Sequence, residues 1–125
     1  MLNLLIVAIG GAFGSVARYA VTTISKGSFG GSFPWGTFIV NLTGSFAIGL
    51  LAASLLSKLG NNETLKLLLI TGFLGGFTTF SAFSLDTVDL LSRGATILAA
   101  AYVLLSVGVA IAATFLGLAI GRALL

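Results

Sequence analysis

Four apolar stretches, each long enough to cross a bilayer, occupy almost all of this 125-residue chain, and only short polar segments separate them. The first runs from about Leu2 to Ile24 and is followed by a Gly- and Ser-rich loop, Ser25–Phe33. The second begins after Pro34 and spans 35–57; the polar residues Lys58–Thr64 separate it from a third, at 65–91. Ser92–Gly94 makes a tight break before the fourth, at 95–124. Each exceeds the roughly 20 apolar residues that a bilayer core requires of a helix. Trp35 suits the interface, where amphipathic rings settle. The first stretch is longer than a signal-peptide h-region and lacks a basic n-region, so it reads as the first helix. Only 7% of residues are charged, against the ~25% of ordinary soluble domains. The sequence therefore predicts an all-α membrane protein of four transmembrane helices in one domain, with the lipid bilayer as its solvent.

The same scarcity of charge excludes several functions. There is no histidine and no cysteine, so the usual general base, thiolate chemistry and the commonest metal ligands are missing. The six basic residues are scattered singly, unlike the clustered Lys and Arg of a nucleic-acid footprint. Helices one, two and four lack Asp and Glu; Glu63 lies in a loop, and Asp86 and Asp89 lie toward the end of helix three. A proton-coupled pump calls for a mid-membrane carboxylate, and a voltage sensor for an arginine ladder. No nucleophile–base pair for intramembrane catalysis is in evidence, so the chain reads as no enzyme.

Loop charge bears on orientation. Lys58, Lys66 and Arg122 fall on one side of four spans, and Arg18, Lys26 and Arg93 on the other. Three against three leaves the positive-inside rule almost nothing to act on. One reading is a single orientation set by subtler cues; the sharper one is insertion both ways, giving an antiparallel, dual-topology homodimer. Among seventeen glycines, Gly10 with Gly14 and Gly117 with Gly121 make small-xxx-small pairs, which let helix backbones approach closely in lipid.

The third span carries the most chemistry. Gly72-Phe73-Leu74-Gly75-Gly76-Phe77-Thr78-Thr79-Phe80-Ser81-Ala82-Phe83-Ser84 places three glycines and four hydroxyls at mid-membrane. Adjacent Gly75 and Gly76 weaken a helix interior, which predicts a broken third helix around Gly75–Thr79. Unwound backbone at that depth survives only inside protein or beside a wet cavity, and broken helices commonly build ion sites. The plainer alternative is a glycine-rich packing crossover with hydroxyls bonded back to the preceding turn. Phe77, Phe80 and Phe83 recur every three residues, as one stripe on a continuous helix. Such a stripe is usually core, but a ring edge carries positive quadrupole character and can face a small anion. Asn41, within Asn41-Leu42-Thr43-Gly44-Ser45, offers two amide donors to an anion or to a neighbouring helix. Tyr102 and Ser106, four residues apart, share a face of the fourth helix. Arg18 either snorkels as an anchor or draws anions to a vestibule.

At these residues the chain resembles the small bacterial fluoride channels called Fluc or CrcB. The resemblance rests on Gly10-Gly11-Ala12-Phe13-Gly14-Ser15-Val16-Ala17-Arg18-Tyr19, on Gly36-Thr37 with the Asn41 segment, and on Gly-Gly-x-Thr-Thr-Phe-Ser-x-Phe-Ser in the third helix. It implies a dual-topology homodimer with two antiparallel pores that export fluoride across the bacterial cytoplasmic (inner) membrane. On that resemblance Phe80 and Phe83 line the pore and Asn41 is its amide donor. Thr79 and Ser81 belong to the hydroxyl-rich break, Tyr102 and Ser106 to a polar track, and Arg18 to a vestibule. A structural sodium ion on the two-fold axis would be held by backbone carbonyls of Gly75 and Thr78 from each subunit. Ala82, Asp86 and Ala110 depart from the family's commoner threonine, glutamate and hydroxyl. Two other readings compete. A multidrug-type exporter would need an acidic residue in the first helix, where the only charge is Arg18. A non-conducting assembly subunit would leave the polar seam unexplained.

Overall fold

The computed structural model describes residues 1–57 and 62–124, so Lys58 of the loop-charge balance lies outside the described residues. The elements are α1 (Leu2–Phe29), α2 (Trp35–Ser57), α3 (Glu63–Leu65), a π-helical segment (Lys66–Leu74), α4 (Gly75–Phe77), α5 (Phe80–Ser92) and α6 (Thr96–Leu124). Among the described residues, four stretches are long and apolar enough to cross a membrane: α1, the front of α2, the composite span Glu63–Ser92, and α6. Large apolar side chains such as Leu4, Leu104 and Phe115 are exposed along them, as expected where the surroundings are lipid rather than water.

α1 continues through Phe29, although the sequence pointed to a loop from Ser25; it ends where Gly30 takes a positive φ of 75°, a conformation that glycine adopts at no steric cost. Pro34 then precedes the first residue of α2, where its missing N–H leaves no helical bond unmade. The turn between α5 and α6 closes on Gly94, at φ 76°.

Two helix pairs organise the bundle, and both depend on close backbone approach. α1 crosses the first half of the third span with Gly14 against Phe73 and Phe77 and with Gly76 against Gly11; a Cβ at Gly14 or Gly76 would collide with the facing backbone. α2 and α6 approach similarly, Gly49 lying on Thr114 and Gly117 on Phe46. Thr114 Oγ1 also donates to the Ser45 carbonyl at 3.0 Å, an interhelical bond of the kind that holds membrane bundles together. The two small-xxx-small pairs, Gly10/Gly14 and Gly117/Gly121, therefore lie at these two crossings.

The third span is broken, but not at its glycines. Gly75 is helical (φ −62°, ψ −37°), and the chain leaves the helix at Thr78 (φ −79°, ψ 158°) and Thr79 (φ −154°, ψ 120°). Gly76 is retained for its closeness to α1, whose packing outweighs the intrinsic cost of glycine in a helix. The Phe77/Phe80/Phe83 stripe is consequently divided. Phe77 stacks on Phe73 (5.9 Å, 12° between planes), whereas Phe80 pairs with Phe83 beyond the break (5.4 Å, 46°).

Candidate functional site

The break is held open by one side chain from α2. Asn41 Nδ2 donates to the Thr79 carbonyl (3.0 Å), and the Thr79 N–H donates to Asn41 Oδ1 (2.8 Å). This reciprocal pair satisfies a backbone unit stripped of helical partners, which lipid cannot solvate. Asn41 thus takes the interhelical role, one of the two read from the sequence. Its carbonyl and one N–H serve the neighbouring element, and an amide has a second N–H to offer.

Thr79 also starts the next helix. Its Oγ1 accepts from the Ala82 N–H at 3.1 Å, as an N-cap does, and lies 3.3 Å from Ser81 Oγ. Other hydroxyls turn back on their own helix: Thr78 Oγ1 donates to the Leu74 carbonyl (2.9 Å) and Ser84 Oγ to the Phe80 carbonyl (3.0 Å). These local bonds fit the packing alternative for those two residues; they do not account for Thr79.

Beside the break lies a cleft of about 420 Å³ whose walls include Asn41, Gly75, Thr78, Thr79, Phe80, Phe83, Ser106 and Ala110. Seven of the positions singled out from sequence are thus gathered at one place from α2, α4, α5 and α6 and the break itself. Phe80 lines it with 77% of its surface exposed, whereas Phe83 is half-buried. Ser106 is buried, and its Oγ has no hydrogen-bond partner among the described residues. Ser81 is exposed and lies outside the cleft wall; Arg18 is half-buried on α1 and lines none of the cavities described.

Tyr102 lies behind Phe83 and is not part of the cleft wall. It is fully buried, its ring 5.3 Å from that of Phe83, and its hydroxyl donates to Asp86 Oδ2 at 3.3 Å. The same carboxylate oxygen accepts from Thr37 Oγ1 at 2.6 Å. Two hydroxyls thus compensate a carboxylate that the surrounding bundle would otherwise leave poorly solvated. A second, more polar cavity of about 360 Å³ lies beyond, lined by Lys26, Phe33, Thr37, Asp86, Asp89 and Arg93 among others. Arg93 is paired there with Asp89 at 2.9 Å.

Sequence reasoning did not select Thr37 or Phe33. Thr37 was visible only as half of Gly36-Thr37; the signal for it is Asp86, because a carboxylate in a span needs donors from a neighbouring helix. Phe33 stood in a stretch read as loop, and its ring chain has no sequence period to reveal it.

Comparison with known proteins places the chain in a family. Residues 5–118 match the family model described as CrcB-like protein, Camphor Resistance (CrcB). A protein of Agrobacterium fabrum (strain C58 / ATCC 33970) named Fluoride-specific ion channel FluC is 54% identical over 122 residues, 98% of each chain. Proteins with the same name from Rhizobium meliloti (strain 1021), 50% identical over 99% of each chain, and Chelativorans sp. (strain BNC1), 49% identical over the full length of both, are similarly close. With most of its length matched by the family model and half of its residues shared with such relatives, the chain belongs to the CrcB family.

Proposed function

We propose that this chain is a fluoride-selective channel, not an enzyme, that lets fluoride leave the bacterial cytoplasm by passive electrodiffusion. The observation that carries this reading is Ser106: a buried hydroxyl without a partner among the described residues, on the wall of a cleft that also bears Asn41, Phe80 and Phe83. An unmatched buried donor costs about 1–3 kcal/mol, and a small anion passing along the cleft would accept from it. Fluoride holds its water strongly, so its path must supply replacement donors at short range. The second N–H of Asn41, the Ser106 hydroxyl and the edges of Phe80 and Phe83 supply these without a fixed positive charge. Binding is then weak enough for release, as conduction requires.

The exposure of Phe80 supports a second subunit as the missing wall, and balanced loop charge supports its antiparallel insertion in the inner membrane. The working unit in this reading is a dual-topology homodimer with two pores, Arg18 serving at the vestibule and Tyr102 at the narrow end. A structural sodium ion at the dimer axis belongs to the same reading. The N–H that would close a helical bond on the Gly75 carbonyl is that of Thr79, which donates to Asn41; the one facing the Thr78 carbonyl is that of Ala82, which donates to Thr79 Oγ1. Both carbonyls are thereby released from their helical donors and suit a hard cation, whose charge would lock the two breaks together.

Fluoride efflux from liposomes containing the purified protein tests the proposal. Rapid fluoride release with chloride retained is expected; no fluoride flux, or equal chloride flux, would overturn it.

A further inference from the structure

Four rings run unbroken from one cavity to the other. Phe80 and Phe83 line the central cleft and lie 5.4 Å apart; Tyr102 is 5.3 Å from Phe83; Phe33, which lines the polar cavity, meets Tyr102 edge-on at 5.4 Å and 90°. Tyr102, Leu90 and Ala99 form the buried cluster between the cavities, with Phe33, Phe38 and Phe83 packed around it. Phe33 comes not from a helix but from the connection that follows Gly30 and Gly31, and it also contacts Trp35 (4.7 Å) and Phe38 (5.7 Å).

We propose that Phe33 is a positioning residue. By packing edge-on against Tyr102 it holds that ring as the barrier between the two cavities, and keeps its hydroxyl directed at Asp86. The geometry assigns this role to a ring and not merely to bulk. An edge-to-face contact fixes orientation, and Tyr102 has a single hydroxyl to direct. The selectivity arm of this inference rests on the fluoride-channel reading; its structural arm does not.

The chain has no cysteine, so a thiol introduced by Ala99→Cys, in the cluster behind Phe33, is unique. Its reaction with a water-soluble methanethiosulfonate reagent, in the full-length protein, should be slow with Phe33 present. It should be about tenfold faster with Phe33→Ala, which loses both the edge-to-face contact and the ring volume that cover the cluster. In liposomes, Phe33→Ala should also raise the chloride-to-fluoride flux ratio by a similar factor, whereas Phe33→Tyr, which keeps the ring, should match the parent in both measurements. Phe33→Leu serves if Phe33→Ala fails to fold, and should raise the flux ratio although it fills most of the space. Unchanged labelling would overturn the barrier, and faster labelling at an unchanged flux ratio would reduce Phe33 to ordinary packing. If the parent protein passed no fluoride, the channel reading would fall, and labelling alone would decide whether Phe33 seals the cluster.

Discussion

At the scale of single residues, the polar groups of this chain divide by whether their partners are already present. Asp86 has Thr37 and Tyr102, and Asn41 has Thr79; among the described residues Ser106 has none. On the channel reading, that difference separates groups that hold the fold from one left to meet an ion. Replacing Ser106 by Ala deletes an unsatisfied buried hydroxyl, so stability should hold or rise, since removing such a group relieves a penalty of about 1–3 kcal/mol. Fluoride flux should nevertheless fall several-fold. Thermal unfolding in detergent and liposome efflux, measured on the same preparation, check the two halves; a variant that lost stability and kept its flux would reverse the assignment. Asn41 was legible in the sequence because a carboxamide at mid-membrane must be paired. Its partner was not, because a backbone carbonyl leaves no mark in a sequence.

The third span decides the site at the scale of elements. Its glycines and hydroxyls announced a break, and the break exists, but packing moved it. Gly76 is needed as a small surface against Gly11, which keeps it helical, so the helix yields at Thr78 and Thr79, where Asn41 can take over the freed backbone groups. Asn41→Leu should therefore do more than remove a possible ion ligand. It orphans the Thr79 N–H, at about 1–3 kcal/mol, and frees α5 from its start. Asn41→Gln keeps both the acceptor and the donor of the amide and should cost less. Thermal unfolding of the two variants in detergent ranks them; equal losses would mean that the reciprocal pair does not hold the break.

Across the whole molecule, the cleft between the two glycine-packed helix pairs stays open beside the exposed ring of Phe80. If a second copy completes it head to tail, a terminal tag in intact cells should be accessible from both sides of the membrane in comparable amounts. Access from one side alone would exclude dual insertion. The sequence by itself determined that there are four spans and that the third is interrupted, because bilayer transfer and helix propensity are sums over neighbouring residues. It also singled out seven of the residues that line the cleft. Only the tertiary structure decided where the interruption falls, what holds it, how Asp86 is accommodated, and that Phe33 stands against Tyr102. Those outcomes depend on pairings between groups 38 and 49 positions apart, which form only after the helices have chosen their crossings, and no local period in a sequence encodes them.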